Sequence, residues 1–266
     1  MSWIDGPVLG FDTETTGVDV DTDRIVSAAL VRRGSGRLGE HPRDGTVVRT
    51  WLLDPGIEIP VAASAIHGIT TEHARAHGEP AALALEEIAS ALAEAIAAGV
   101  PVVAYNASFD LCILSAELRR HGLMSVAERL GHDITRVIDP LVLDRAQDKY
   151  RPGKRKLVDL CGFYEVAEAG RLHSADVDVV ATLDVLAAIV DRYPQLAAVE
   201  LERLHAYQVT AHRVWAEGFN AWRASKGFEG PGAELTWPVR GPLPSAALPS
   251  AALPPPAVPV PAQREL

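Results

Sequence analysis

The sequence predicts an α/β domain in which helices flank a mixed, five-stranded central sheet. Three apolar segments rich in β-branched residues lie near the N-terminus, at residues 8–11, 25–31 and 46–53. The links between them are short or polar and glycine-rich, which favours an antiparallel meander. Two shorter apolar segments, at 102–104 and 137–138, are predicted to complete the sheet.

Helical patterns fill most of the remaining residues up to 195, and we assign residues 1–195 to one domain. Apolar residues recur at helical spacing from 85 to 96 and stop before Gly99. A second helix is predicted over 109–120, and a third runs from the N-cap Ser174 to about residue 190. This succession of strands and helices predicts the α/β class.

Two C-terminal segments lie outside this domain. Residues 196–228 carry an amphipathic helical pattern with an aromatic stripe, which could bind a partner, although packing on the domain is the commoner role. Residues 229–266 are rich in proline and alanine, and the stretch from Pro238 onward holds nine of the chain's 19 prolines. Such a composition cannot form a packed core, so we expect an extended or disordered tail.

The charge and the apolar segments narrow the function classes. A formal net charge of −10 argues against a protein that coats nucleic acid through bulk electrostatics, but not against an enzyme that meets phosphates through divalent cations. The sequence shows neither a secretory signal nor an apolar stretch long enough to span a bilayer. Cys112 and Cys161 have no metal-ligand spacing, so we expect a reduced, cytoplasmic protein with no membrane partner.

Two carboxylates stand at the end of the first predicted strand. Asp12 and Glu14 are two residues apart, so their side chains project from the same face. Neighbouring anions repel unless a positive charge lies between them, and a divalent cation supplies one. Most such pairs are solvated strand ends, so this pair alone favours a metal only weakly. Thr13, Thr15 and Thr16 add hydroxyls where a terminal nucleotide could lie.

Further candidates lie at the starts of two predicted helices. Asp110 begins a helix after the strand at 102–104, where a lone aspartate would by default interact with the helix dipole. Asp178 lies in the first turn of a later helix, and His173 lies on the loop before it. A loop histidine can swing over a reacting water while the helical carboxylate stays fixed on a metal. The alternatives are a solvated loop histidine and a dipole-capping aspartate.

Together these residues resemble the DEDDh, or DnaQ-like, exonuclease family, which includes the proofreading epsilon subunit of bacterial DNA polymerase III. The resemblance rests on three motifs in family order: FDTETTG at 11–17, NASFD at 106–110 and H-x-x-x-x-D at 173–178. The segment AIHGIT at 65–70 is similar to a substrate-contacting segment of these proteins. The resemblance covers roughly residues 7–190 and implies a ribonuclease H-like fold.

Carried over onto this sequence, the resemblance implies a two-metal-ion nuclease. Asp12, Glu14, Asp110 and Asp178 would hold two divalent ions, and His173 would act as general base. Hard oxygen ligands suit Mg²⁺ or Mn²⁺. The basic run at 149–156 could contact phosphates or be a solvated loop. The candidates for substrate binding are Thr13, Thr15, Thr16, His67, Gly68, Asn106, Phe109 and, in the basic run, Lys156.

The leading interpretation is a metal-dependent 3′→5′ exonuclease that releases 5′-mononucleotides from DNA, in replication proofreading or repair. Its partners would be a single-stranded or frayed 3′ end and a polymerase or repair protein. Among enzymes, the alternative is an exoribonuclease acting on RNA 3′ ends or short oligoribonucleotides, since relatives with the same five residues do this. A non-catalytic interaction module is the alternative from another class, and the intact motifs speak against it.

Overall fold

A single sheet organises the part of the chain that the computed structural model describes, which is residues 3–36, 38, 45–166 and 174–241. Within these ranges the sheet has six strands in the order β4-β3-β2-β1-β5-β6. The strands are β1 (Val8–Thr15), β2 (Ile25–Arg33), β3 (Val47–Asp54), β4 (Glu79–Pro80), β5 (Val102–Val103) and β6 (Val137–Ile138). The predicted α/β class is therefore confirmed, with one strand more than the five expected. The extra strand, β4, has only two residues and one of them is proline, so it carries no periodic pattern to detect.

The sheet is mixed, as predicted. β1, β2 and β3 form the antiparallel meander. β5 pairs in parallel with β1, and β6 pairs in parallel with β5. The C-terminal ends of β1, β5 and β6 consequently lie at one edge of the sheet, which we call the carboxyl edge. Side chains that follow these three strands are brought together there.

Helices cover both faces of the sheet. They are α1 (Val61–His67), α2 (Thr71–His77), α3 (Ala81–Ala97), α4 (Ala107–Arg120), α5 (Val126–Leu130), α6 (Pro140–Gln147), α7 (Leu157–Phe163), α8 (Ala175–Arg192) and α9 (Leu201–Ser225). One core lies between the sheet and the pair α3 and α4. A second core lies on the opposite face, under α6, α7 and α8. Across these residues, no helix combines the length and the apolar character needed to cross a membrane.

The segment after α9 differs from its prediction. The sequence assigns residues 229–266 to an extended or disordered tail, yet in the described part, up to Gly241, the chain packs on the domain. Trp237 is only 5% exposed, belongs to the core beside α3 and α4, and lies with its ring 5.2 Å from the ring of His205. One buried tryptophan removes enough apolar surface from water to anchor a proline-containing segment. Residues 242–266 lie outside the described residues.

Close approach of α8 to β1 places the first turn of α8 at the carboxyl edge. A Cβ atom added at Gly10 would lie 2.3 Å from Cγ1 of Val179 and 3.2 Å from Cδ1 of Leu183. Real Cβ atoms do not tolerate the first of these distances, so a side chain at Gly10 would displace α8. Because Gly10 has no side chain, α8, which carries Asp178, can pack closely against β1.

We expect Gly10→Ala to lower the free energy of unfolding by about 1–3 kcal/mol, the usual cost of overpacking a core. The added methyl group meets Val179, so Val179→Ala should create room for it. In the Val179→Ala background, the Gly10→Ala change should cost clearly less. Urea unfolding of the two single variants and the double variant measures this. Equal costs in both backgrounds would contradict the packing of α8 on Gly10.

Candidate active site

Three carboxylates converge at the carboxyl edge. Asp12 and Glu14 lie two residues apart in the last half of β1, and Asp178 lies in the first turn of α8. One carboxylate oxygen of each residue lies within 4.8 Å of those of the other two. Their convergence arises from two elements that approach at Gly10, although their separation in the sequence exceeds 160 residues. An oxygen cluster of this size and hardness fits a divalent cation.

A fourth carboxylate, Asp110, lies beside this cluster and is held by β1 itself. It lies in the first turn of α4 and is 3% exposed. Its Oδ1 accepts hydrogen bonds from the backbone N–H of Thr13, at 3.0 Å, and from the hydroxyl of Thr13, at 2.7 Å. The strand thus presents Asp12 and Glu14 on one face and fixes Asp110 through the residue between them.

Asp139 holds the start of α4, and the sequence analysis did not identify it. It follows β6, and its two carboxylate oxygens accept the backbone N–H groups of Asn106 and Ala107, each at 3.0 Å. One of these oxygens also caps α6 through the N–H of Leu141, at 2.9 Å. The available signal was an aspartate directly before Pro140, since aspartate is a preferred N-cap and proline a preferred first helical residue.

Burial and mutual repulsion dominate the electrostatics of the four-carboxylate cluster. Burial raises the pKa of Asp12 well above its usual value, and Asp110, Asp178 and Glu14 raise it further. Burial, with a contribution from Asp178, raises the pKa of Glu14 to about 7. Burial also raises the pKa of Asp110 to about 7, although the two hydrogen bonds from Thr13 act in the opposite direction. Anions that resist ionisation together are stabilised when a cation lies among them, so these residues fit divalent metal ions.

The three threonines near the end of β1 have partners within the protein. The hydroxyl of Thr13 is bound to Asp110, as described above. The hydroxyl of Thr15 donates to the carbonyl of Gly17 at 2.7 Å, and that of Thr16 donates to Asp23 at 2.7 Å. Thr16 is also buried. These hydroxyls therefore hold a carboxylate and the β1–β2 turn, which differs from the expectation that all three face a terminal nucleotide.

Two other candidate substrate residues lie at the end of α1. Nδ1 of His67 accepts the N–H of Ile69 at 3.1 Å. Its Nε2 is buried and has no hydrogen-bond partner among the described residues. Burial lowers the pKa of His67, and the nearby backbone of Thr15 partly offsets this. A neutral His67 therefore carries its proton on Nε2, close to β1. Gly68 ends α1 with φ of 76°, a conformation that glycine adopts without strain.

Asn106 and Phe109 lie at the start of α4, next to Asp110. Asn106 adopts the left-handed conformation, with φ of 58°, and its side chain is exposed and forms no bond to the helix. Phe109 is half-buried against the core beside α3 and α4. Both side chains therefore have surface that a nucleotide could contact.

The basic run at 149–156 divides into anchored and exposed cations. Arg151 and Arg155 form ion pairs with the fully buried Asp144. The hydroxyl of Tyr105 donates to the carbonyl of Arg155 at 2.6 Å, which fixes the loop beside α4. Lys156 is exposed at the start of α7. The run is therefore an anchored loop with exposed lysines. His173, the expected general base, lies outside the described residues.

We expect the metal-free protein to be less stable than its Asp12→Asn variant, by a margin that grows as the pH rises. In the unfolded chain these carboxyl groups have pKa values of about 4, whereas in the folded chain the pKa values of Glu14 and Asp110 are raised to about 7. Ionisation therefore favours the unfolded state from about pH 4 up to about pH 7, where the penalty is complete. Removing one anion relieves it.

Thermal unfolding in chelator at about pH 5 and about pH 8 measures this margin. The gain in Tm from Asp12→Asn should be larger at the higher pH. Adding Mg²⁺ at the higher pH should raise the Tm of the parent protein more than that of the variant. A gain that is the same at both pH values would contradict the clustering of these carboxyl groups.

Known proteins share this sequence pattern. The family model for an exonuclease family, RNase_T, matches residues 9–186, which is more than half of the chain. A DNA polymerase III subunit epsilon-like protein of Rhodobacter capsulatus is 39% identical over 108 residues, which are 38% of this chain and 13% of that protein. An exonuclease of Escherichia phage 186, CP81, is 26% identical over 200 residues, which are 70% of this chain and 90% of that protein.

Solved structures share the fold. A structure of exonuclease I superposes with a TM-score of 0.59 and 26% identity over 78% of this chain and 44% of that one. Escherichia coli exonuclease I in complex with a dA16 oligonucleotide superposes with a TM-score of 0.58 and 22% identity. The chain spans less than half the length of these neighbours, and the expected ribonuclease H-like fold is confirmed. Because the family match extends over all four carboxylates, from Asp12 to Asp178, the chain belongs to the DEDDh (DnaQ-like) exonuclease family.

Proposed function

We propose that this chain is a 3′→5′ exonuclease that releases 5′-mononucleotides from DNA ends, in replication proofreading or repair. The observation that carries the proposal is the convergence of Asp12, Glu14 and Asp178 beside the buried Asp110. These four residues would hold two divalent cations, Mg²⁺ or Mn²⁺. Bound there, the cations would activate a water molecule and stabilise the leaving 3′ oxygen.

The chain's own residues would perform the remaining tasks. Thr13 holds Asp110 in place, and the close packing of α8 on Gly10 positions Asp178. His173 would accept the proton of the attacking water, which suits an imidazole near neutral pH. The exposed amide of Asn106, the ring of Phe109 and the segment His67–Gly68 would flank the terminal nucleotide.

A single-stranded or frayed 3′ end is the substrate that we propose, since a terminal nucleotide must separate from its partner before it reaches a site at a sheet edge. DNA is favoured over RNA by the relatives, because one solved neighbour is a complex of exonuclease I with a dA16 oligonucleotide. Two curated relatives are named as a DNA polymerase III epsilon-like protein and a PolC-type polymerase. We therefore propose a polymerase or repair protein as partner, in the cytoplasm.

The proposal is tested with matched DNA and RNA strands that carry a 5′ label. With Mg²⁺ or Mn²⁺, the DNA strand should give a ladder that descends one nucleotide at a time, faster for single strands and mismatched ends than for matched duplex. A 3′ phosphate should slow it sharply, and chelator should abolish it. Asp12→Asn is the inactive control. Immediate release of the labelled 5′ nucleotide, or cleavage of a closed circle, would exclude the proposal, and preference for the RNA strand would make the chain an exoribonuclease.

Replacing His173 with alanine should lower kcat by about 10²–10⁴-fold, the usual contribution of general-base catalysis. Activity of the parent protein should rise with pH through the apparent pKa of His173, and the variant should lose this rise. The variant should still bind metal, because a base is not a ligand. The increase in Tm on adding metal measures this binding. A variant whose pH profile matches that of the parent would assign the proton transfer to another group.

A further inference from the structure

Helix α9 continues well beyond the carboxyl edge of the sheet. Near its start, Nδ1 of His205 accepts the N–H of Val137, at 3.3 Å. Three residues later, Oε1 of Gln208 accepts the N–H of Asp139, at 2.7 Å. The helix therefore runs in the same direction as β6 and passes the edge close to Gln208. Its last residue, Ser225, lies 17 residues further on, a length of about 25 Å at a rise of 1.5 Å per residue.

The projecting half of α9 and the turn that follows it carry a continuous series of aromatic rings. We call Trp215, Phe219, Trp222 and Phe228 the aromatic row. Their ring centroids are 5.4, 5.8 and 5.6 Å apart in succession, and the first two rings are stacked. Trp222 is 48% exposed and Phe228 is 55% exposed. Large apolar rings left in contact with water, side by side, are typical of a binding surface.

The aromatic row lies on the face of α9 that packs against the domain. Leu204 and Gln208 are buried there, and Trp215, Phe219 and Trp222 follow them at spacings that keep to the same face. Beyond Ala216 no residue of α9 is buried. The packing face of the helix therefore extends past the C-terminal end of β6.

Arginine side chains lie over both ends of this row. The guanidinium of Arg145 lies 3.8 Å from the ring centroid of Trp215. That of Arg223 lies 5.6 Å from Phe228 and 6.0 Å from Phe219, and within the described ranges it bonds to the backbone carbonyl of Glu229, not to a carboxylate. The row thus combines ring faces with positive charge in a chain whose net charge is −10.

At the inner end of the row, Arg145 lies near two residues that hold parts of the candidate active site. Arg145 is half-buried, which lowers its pKa, and the nearby Asp139 and Tyr105 act in the opposite direction. Asp139 is the residue that holds the start of α4, and Tyr105 holds the basic loop. Arg145 therefore lies between the aromatic row and the residues that position the start of α4 and the basic loop.

We propose that the aromatic row binds single-stranded nucleic acid on the 5′ side of the nucleotide being removed. Unpaired bases stack on aromatic faces, and arginine contacts phosphates and stacks on bases as well. Because paired bases do not expose their faces, the row favours single strands. The inference rests on the proposed function for the polarity of the strand, but binding itself requires no turnover.

The test uses the full chain and the double variant Trp222→Ala, Phe228→Ala, with Val214→Ala as control. Val214 is 55% exposed on α9 but lies outside the row. Anisotropy of labelled oligothymidylate and oligouridylate of about 20 nucleotides is measured in Ca²⁺ without Mg²⁺ or Mn²⁺. The double variant should bind at least tenfold more weakly, since it loses two of the ring faces on which bases stack. The Val214→Ala control should bind as the parent does.

Each outcome separates this inference from the proposed function. Parent-like binding by the double variant, or no binding of either oligomer by the parent, overturns the role of the row. Sedimentation that shows a dimer lost in the double variant, with oligonucleotide binding unchanged, assigns the row to self-association and also overturns it. If the double variant binds more weakly than the parent, and the parent shows no nuclease activity, the result supports the role of the row and contradicts the exonuclease proposal.

Discussion

The carboxylates at the carboxyl edge repel one another, and the contacts around them hold them together despite this repulsion. Burial and mutual repulsion of these acidic groups increasingly disfavour the folded chain as the pH rises from about 4 to about 7, so other contacts must hold them in place. Thr13 does this for Asp110 with two donors, and the bare backbone at Gly10 does it for Asp178 by letting α8 approach. Such a site lowers the stability of the folded chain when no cation is bound, and bound cations restore that stability. Metal binding and stability are therefore coupled.

A second buried carboxylate plays a structural part. Asp139 bonds to the start of α4 and caps α6, and its own N–H binds Gln208 of α9. Burial raises the pKa of Asp139 to about 6, with three backbone N–H groups and Arg145 acting in the opposite direction. One aspartate thus joins β6 to three helices, and through Asn106 it fixes where α4 presents Asp110. The geometry of the candidate metal site is therefore set partly by a residue that does not belong to it.

Much of the fold could be predicted because it depends on local sequence, whereas the convergence of the four carboxylates was expected from the family resemblance. Apolar alternation gives β1 to β3, helical spacing gives α3 and α8, and the spacing of Asp12 and Glu14 puts both on one face. What could not be predicted depends on contacts between distant residues. The hydroxyl of Thr16 is taken by Asp23 across a turn, and Trp237 reaches His205 and a core that only the folded chain creates. The proline-rich composition of that last segment did not indicate this contact.

Helix α9 and the aromatic row lie outside the part of the chain that matches the family. The exonuclease family match ends at residue 186, before this helix begins at Leu201. The four carboxylates lie within the match, whereas the aromatic row lies outside it. Since α9 is anchored by Gln208 to the same strand end that positions α4, any strand bound along the row would be held in a fixed relation to the carboxylates. Contacts along the row would then select the strand whose end reaches the carboxylates.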